Sequence, residues 1–476
     1  MGRGPGGGVT QNMTSIILLS VFGIINLFLG FLRSNKILLP AAMVILALVF
    51  GANLYDWNAA PHSYFSNMLT IDRYSVAFTG IVTLTTLLLI PFSQKYVRDG
   101  QENLAEYYSL LLFSLVGAIM MVSYDNLLML FVGIEILSVS MYVVAGSDKR
   151  NVRSNEAALK YFLMGSFATG ILLFGIALVY GATGAFSLID IAGAVVQPAN
   201  ASFRPMLYIG MLLMFIGISF KVSAAPFHYW TPDVYEGTPT FFTAFMSTVV
   251  KTAGFAAFFK LLMVAFGGAE SFWIPTIMAI TVLTLLVGNV GAVAQTSIKR
   301  MLAYSSISHA GYLFIGLVAL NGKLSANGIF FYSLAYSVAT VAAFGVLKLV
   351  SDQRQREDYA SFNGLAKTNP LLAFVFTVAM LSLAGIPLTG GFFGKFFIFG
   401  AAMDKGYTGL VIFALLMSMV SIYYYLRPVI AMYMRPAEED MTEPVAVSPF
   451  QSFILVVLAV LTFVLGIMPG LLSEVM

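Results

Sequence analysis

Apolar residues occur along this chain in long runs, interrupted only briefly by charges, Pro, Gly and Asn. Marking those runs predicts about fourteen spans, at 14–32, 37–54, 74–92, 105–123, 126–146, 155–181, 205–235, 238–262, 272–295, 301–320, 326–350, 371–402, 407–434 and 450–471. A helix needs roughly 20 apolar residues to cross a bilayer, and most of these runs supply them. Membrane strands would be shorter and would alternate in polarity. The pattern therefore predicts an all-α polytopic membrane protein. Connections are short, so residues 14–476 read as a single transmembrane helical bundle. Residues 1–13 are Gly-rich and read as a disordered or mis-assigned N-terminus, with Met13 as a plausible start. The first apolar run is followed by Arg33 and Lys36 and lacks a small-residue cleavage site, so it reads as a retained helix.

Two spans are long and interrupted. The seventh breaks near Ala225–Pro226, and the twelfth breaks across Gly385-Ile-Pro-Leu-Thr-Gly-Gly391. Proline removes a backbone donor and disfavours helix at the residue before it. Carbonyls freed at membrane depth are tolerated only where they face protein or water. Broken helices five spans apart predict two five-helix repeats, spans 4–8 and 9–13. An odd number of helices per repeat makes them inverted in the membrane.

Charge distribution adds orientation. Fourteen Lys and Arg follow odd-numbered spans (among them Arg33, Lys36, Arg153, Lys299, Arg300 and Arg435), against five on the opposite side: Arg3, Arg73, Arg204, Lys323 and Lys405. The excess of basic residues on one side places that face in the cytoplasm and both termini outside.

Composition narrows the chemistry. The chain has 476 residues, 59% hydrophobic and only 10% charged, against roughly 25% charged in a soluble domain. With no cysteine and three histidines, it excludes Cys-ligated iron–sulfur clusters, disulfides and Cys-type zinc. Electrons in any redox system it serves are carried by partners. A nucleic-acid partner is not expected.

The few intramembrane charges are then the candidate site. Each costs roughly 2.5–3.5 kcal/mol at a bilayer centre and calls for a reason. Glu135 sits mid-span and reads either as a partner for a buried lysine or as a carboxylate satisfied by a neighbouring hydroxyl. Lys221 precedes the first break; it either snorkels to the surface or lies deep, because FHYWTPDVYEG continues past the break. Lys251 is central in its span. Lys395 follows the second break in GGFFGKFFIFG, where the spacing fails for a phosphate-binding loop and Phe396 stands where Ser or Thr is required. His309, among Tyr304, Ser305, Ser306 and Ser308, reads as a proton carrier or as a structural histidine. His228 and Asp233 either order the turn or line a proton-uptake route. Lys160, Lys260 and Arg427 lie nearer span ends and read as snorkelling. A relay works when charged and neutral lysine are close in free energy. Burial disfavours the charged form of a lysine and a nearby carboxylate favours it.

The stretches FKVSAAPFHYWTPDVYEGTP, KRMLAYSSISHAGY and GIPLTGGFFGKF, with Glu135 and Lys251, resemble the antiporter-like membrane subunits of respiratory complex I. The resemblance covers the chain after about residue 14. VYEGTP, the total length and a lysine in the twelfth span resemble the N-subunit branch of NADH-quinone oxidoreductase. The resemblance implies a fourteen-helix fold with two inverted repeats. It implies Glu135 and Lys221 as a controlling pair, Lys251 and His309 as a central relay, and Lys395 as the terminal group toward the outside. It also implies no cofactor in this chain, with NAD, FMN, iron–sulfur clusters and quinone in partner subunits. A hetero-oligomer with other membrane subunits in a bacterial inner membrane follows. The alternatives are a subunit of a multi-subunit cation/proton antiporter and a non-conducting scaffold subunit.

Overall fold

The computed structural model describes residues 13–32, 35–93, 104–196, 202–320, 323–438 and 441–472. The expectation for residues 1–13 lies, Met13 apart, outside the described residues, as do Arg33, Lys95 and Arg98. Among the described residues, twelve helices are each long and apolar enough to cross a bilayer. The sixteen-residue helix Thr14–Leu29 and the interrupted pair Pro370–Ala384 and Gly390–Asp404 complete the series of fourteen.

Polar residues just outside the apolar runs set where helices begin. Asp72 and Ser75 cap the third span, Arg73–Leu89, reciprocally. Asn126, Asn151 and Ser297 cap the fifth (Leu127–Ala145), sixth (Val152–Thr183) and tenth (Ile298–Val318) with side-chain oxygens. Ser448 and Gln451 do the same for the last, Pro449–Ile467. Each such cap is worth about 1 kcal/mol. A two-stranded hairpin, β1 (His62–Tyr64) paired antiparallel with β2 (Leu69–Ile71), joins spans two and three. The apolar-run reading did not anticipate it, because three-residue strands leave no periodicity to detect.

Packing follows the repeat. The fourth span (Leu104–Ser123) packs on the fifth and the eighth (Thr240–Ala265), while the sixth packs on the seventh. In the second half the ninth (Glu270–Val293) packs on the tenth and the thirteenth (Thr408–Met434), while the eleventh (Lys323–Arg354) packs on the twelfth. Lipid supplies no hydrophobic drive between helices, so small residues must allow close approach. At Gly117 an added Cβ would stand 2.6 Å from the Gly133 carbonyl, and at Gly288 it would stand 2.5 Å from the Ser308 nitrogen. The centre is formed by the eighth, tenth and eleventh spans, 89%, 94% and 94% buried in their apolar windows, against 33% for the sixth.

Both breaks fall where the sequence places them. The seventh span is helical over Arg204–Lys221, unwinds, and resumes at Thr231–Gly237. The Phe220 carbonyl, left without its usual helical donor, accepts from Ser223 N and from Trp230 Nε1, both at 3.1 Å, and Ala225 N donates to Thr284 Oγ1 at 2.9 Å. The twelfth stops at Ala384 because Gly385 takes a left-handed conformation, φ 84°. Its second half crosses closely over the first: Gly391 N donates to Ser382 Oγ at 3.1 Å, and a Cβ at Gly391 would overlap the Ser382 carbonyl.

This crossing generates a stability prediction. Gly391→Ala should destabilise the protein by about 1–3 kcal/mol, the usual cost of overpacking. Gly400→Ala, on the same helix with open space around the Cβ position, should not. The thermal midpoint of the solubilised assembly, compared for the two variants, checks this.

Candidate functional site

Three buried lysines sit at or between the two breaks, and each bonds only neutral oxygens in the hydrogen bonds resolved. Lys221 ends the first half of the seventh span. Its Nζ donates to Ser138 Oγ at 2.7 Å and to Tyr161 Oη at 3.4 Å, and lies 5.6 Å and 5.4 Å from the ring centres of Tyr142 and Tyr161. Trp230 stacks on Tyr161 at 4.6 Å and on Phe220 at 5.1 Å, closing this pocket from the far side of the break. Lys221 is 5% exposed, so its side chain is enclosed by the bundle.

Lys251 lies just past a π-helical turn, Met246–Val250, in the eighth span. Such turns break helical regularity and are frequent at functional sites. Its Nζ donates to the carbonyl and to the hydroxyl of Ser306. Tyr336 Oη donates to the same Ser306 hydroxyl at 3.1 Å. The Tyr235 hydroxyl lies close to both Ser306 and Ser223, between the Lys221 and Lys251 pockets.

His309 follows Ser306 by one turn of the tenth span. It hydrogen-bonds Tyr332 Oη at 2.7 Å through Nδ1 and Tyr425 Oη at 3.0 Å through Nε2. Tyr425 also shares a hydrogen bond with Ser305. One turn further, Tyr312 presents its ring to Lys395, whose Nζ is 4.5 Å from the ring centre. Lys395 Nζ donates to Ser418 Oγ and to the Ala384 carbonyl, both at 2.8 Å. That carbonyl is the one freed where the twelfth span stops. Ser306, His309 and Tyr312 thus share one face of a helix that is buried almost throughout, and they line up between Lys251 and Lys395.

The structure brings Lys251, His309 and Lys395 into one polar line. It places Lys221 at one end of that line, across Tyr235. Among the described residues Glu135 makes no direct ion pair with Lys221, but it lies within electrostatic reach of it. Glu135 is half-buried on the stripe of the fifth span that carries exposed Val132 and Val139, and its buried Oε1 has no hydrogen-bond partner. Ser138, one turn along, takes the Lys221 contact instead.

Asp233 lies apart from this line. It pairs with Lys160 at 2.9 Å and Arg300 at 3.0 Å, and Arg300 also reaches Glu236 at 2.6 Å. His228 is half-buried in the unwound segment, with Nδ1 unpartnered. Lys160 and Lys260 do not simply snorkel. Lys160 pairs with Glu156 as well as Asp233. Lys260, only 8% exposed, pairs with Asp125 at 2.8 Å. Lys299 pairs with Glu357 at 3.1 Å and Lys348 with Asp352. Lys160, Lys260, Lys299 and Lys348, nearer the span ends, therefore meet carboxylates, whereas the three inner ones meet hydroxyls and carbonyls. Ser306 entered the sequence reading only as a neighbour of His309, and Tyr161, Tyr235, Tyr332, Tyr425 and Ser418 were not singled out at all. Their only signal is a hydroxyl inside an apolar run.

A helical membrane bundle with broken helices and a buried basic line has the architecture of an ion- or proton-translocating subunit. The chain belongs to the NADH:quinone oxidoreductase/Mrp antiporter transmembrane family, whose pattern matches residues 124–421. It is 40% identical over 466 residues to the NADH-quinone oxidoreductase subunit N of Cytophaga hutchinsonii, covering 97% of this chain and 99% of that one. It superposes with a TM-score of 0.83 and 34% identity on a chain of respiratory complex I from Thermus thermophilus with bound aureothin, covering 96% and 98%. A chain of the Mrp complex from Dietzia has the same fold, with a TM-score of 0.83 at 21% identity over 98% of this chain and 96% of that one.

Ser306→Ala removes the only side-chain acceptor resolved for Lys251. A hydrogen bond to a charged group is worth about 1.5–3 kcal/mol, so proton transport should fall roughly tenfold or more while assembly is retained. Ion flux through vesicles carrying the assembled complex, alongside native-gel assembly, checks this.

Proposed function

We propose that this chain is the N-type proton-translocating membrane subunit of a respiratory NADH:quinone oxidoreductase. The observation that carries the reading is the buried line Lys221–Tyr235–Ser306/Lys251–His309–Tyr312–Lys395, strung between two broken helices. Along it, hydroxyls and imidazole nitrogens accept a proton on one side and release one on the other. A lysine held by neutral oxygens gives up its proton more readily than one held by a carboxylate, because less Coulombic attraction is lost. Glu135 acts on Lys221 through space: its approach stabilises the ammonium and its withdrawal favours release. Lys395, at the second break, is the group facing the outlet.

NAD, FMN, iron–sulfur clusters and quinone sit in partner subunits, where quinone reduction drives the proton movement. The basic face is cytoplasmic, the membrane is the bacterial plasma membrane, and both termini lie outside, as the distribution of Lys and Arg supports. His228 and Asp233 border a proton-uptake region on the basic face. Residues 14–476 form one bundle within the larger hetero-oligomer.

The test is NADH-driven proton pumping in vesicles carrying Lys221→Ala, with assembly of the complex measured in parallel. The expected result is an assembled complex in which pumping and NADH oxidation fall together. Wild-type rates of both would remove the relay and favour a non-conducting scaffold. Co-purification without NADH dehydrogenase subunits would favour the cation/proton antiporter.

A further inference from the structure

The ion pair of Lys260 with Asp125 takes no part in the relay, yet Lys260 lies on the helix that carries Lys251. The middle of the eighth span, Lys251–Lys260, is α-helix held between two π turns, Met246–Val250 and Leu261–Ala265. It is ten residues long, about 15 Å, with a lysine at each end. A π turn breaks the regular ladder of helical hydrogen bonds. The segment is therefore joined loosely to the rest of its helix on both sides, and its lateral contacts set where it sits.

At one end of the segment Lys251 binds the carbonyl and hydroxyl of Ser306. At the other end three contacts converge. Tyr74, in the first turn of the third span, donates to the Ala256 carbonyl, and Tyr124 donates to the Ala257 carbonyl, both at 2.8 Å. Lys260 Nζ lies 2.8 Å from Asp125 and 5.7 Å from the Tyr124 ring centre. Asp125 is itself pinned. Its backbone nitrogen donates to the Met68 carbonyl of the hairpin at 3.0 Å, and its carbonyl accepts from Leu188 N at 2.9 Å. Between the two lysines Thr252 is the only polar side chain, and Phe255 and Phe258 pack edge to face on Phe314. No chain of hydroxyls along the segment links Lys251 to Lys260.

The second repeat carries a matching arrangement. On its last helix, the thirteenth span, Ser418 binds Lys395. Arg427 follows Ser418 by nine positions, as Lys260 follows Lys251. Arg427 donates to the Val293 and Gln295 carbonyls at 3.0 Å and 2.9 Å and lies 4.2 Å from the Tyr359 ring centre. Each repeat thus ends in a helix that carries a group of the buried line and, nine positions on, a cation set over a tyrosine. Each cation is tied to the chain where the repeat's first helix ends.

We propose that Lys260 and Asp125 are positioning residues for Lys251. Their ion pair anchors the Lys251–Lys260 segment to the cap made by the hairpin and the turn between the fourth and fifth spans, and so holds Lys251 in register with Ser306. The inference rests on the reading of Lys251 as a relay group. Neither Lys260 nor Asp125 carries the transported proton. Removing one partner of a pair this enclosed leaves an uncompensated charge, which draws the remaining group toward water. The segment is bonded internally as α-helix, so a shift at Lys260 reaches Lys251.

The test uses the assembled complex in vesicles, with NADH-driven proton pumping and native-gel assembly read together. Lys260→Met and Asp125→Asn should each lower pumping severalfold. Lys260→Arg, and the charge swap of Lys260→Asp with Asp125→Lys, should restore it. Lys260→Met added to Ser306→Ala should lower pumping no further than Ser306→Ala alone, because both act through one contact; residues that only stabilise the fold would multiply their losses. A structure of the assembled Asp125→Asn complex should show Lys251 displaced from Ser306. Wild-type pumping by both single variants, multiplied losses in the combined variant, or Lys251 still on Ser306 in the Asp125→Asn complex overturns the proposal and leaves the relay intact. Where the single variants fail to assemble, Lys260→Arg and the charge swap decide: recovery of assembly and pumping supports the anchor, and recovery of neither overturns it. A wild-type complex that pumps no protons overturns the functional reading instead, and the Asp125→Asn structure still tests the anchor.

Discussion

The structure depends on the cost of holding a lysine ammonium away from water. Any such group in a bilayer must find oxygens, and in a regular helix each carbonyl already accepts one bond within the helix, so only a second lone pair, like that of Ser306 toward Lys251, is left to offer. Breaking a helix frees a carbonyl, and here the second break supplies one directly: the Ala384 carbonyl binds Lys395. At the first break the Phe220 carbonyl is shared between Ser223 N and Trp230 Nε1, and the latter bond fixes the ring that walls the Lys221 pocket. The two breaks solve one problem in two ways. In one the freed carbonyl holds the lysine; in the other it holds the aromatic that shapes the lysine's pocket.

That constraint accounts for the packing around the centre. A polar line at the middle of a bundle survives only if lipid is kept from it, and the eighth, tenth and eleventh spans are accordingly the most enclosed. Enclosure in lipid relies on close contact between helices. Gly117 against Gly133 and Gly288 against Ser308 provide it at corresponding places in the two repeats. The Ser308 backbone at that contact belongs to the helix that carries Ser306, His309 and Tyr312. Its tight seat against the ninth span fixes which face of the tenth turns toward Lys251 and Lys395.

Much of this was legible in the sequence, because a lysine in an apolar run and a Pro-Gly interruption are each improbable without a purpose. The fourteen spans, the two breaks and the burial of Lys221, Lys251, His309 and Lys395 all came from that signal. The partners did not. Ser306, Tyr235 and Tyr425 are hydroxyl residues of a kind common in membrane helices, and only the packing of distant spans makes them special. The pairing of Lys260 with Asp125 escaped for the same reason: the two are 135 positions apart, and proximity to a span end suggested snorkelling instead. Glu135 was legible as an intramembrane carboxylate, but the hydroxyl between it and the lysine was not: Ser138, one turn along the fifth span, takes the direct Lys221 contact, and Glu135 reaches Lys221 only through space.

The division between rim and inner lysines follows from what each position must do. At the rim, Lys160, Lys260, Lys299 and Lys348 face carboxylates at hydrogen-bonding distance, in direct ion pairs. A relay made of such pairs would stall, since removing the proton would leave an unpaired buried carboxylate. The inner lysines are held by Ser138 and Tyr161, by Ser306, and by Ser418 with Ala384. These oxygens can solvate an ammonium or, for the hydroxyls, donate to the neutral amine, so either state leaves a satisfied pocket. A carboxylate that joins such a pocket only transiently, the role proposed for Glu135, changes the balance without locking it. Proton movement through the bundle is thus compatible with a rigid scaffold: the charge moves, and the helices that hold it need not.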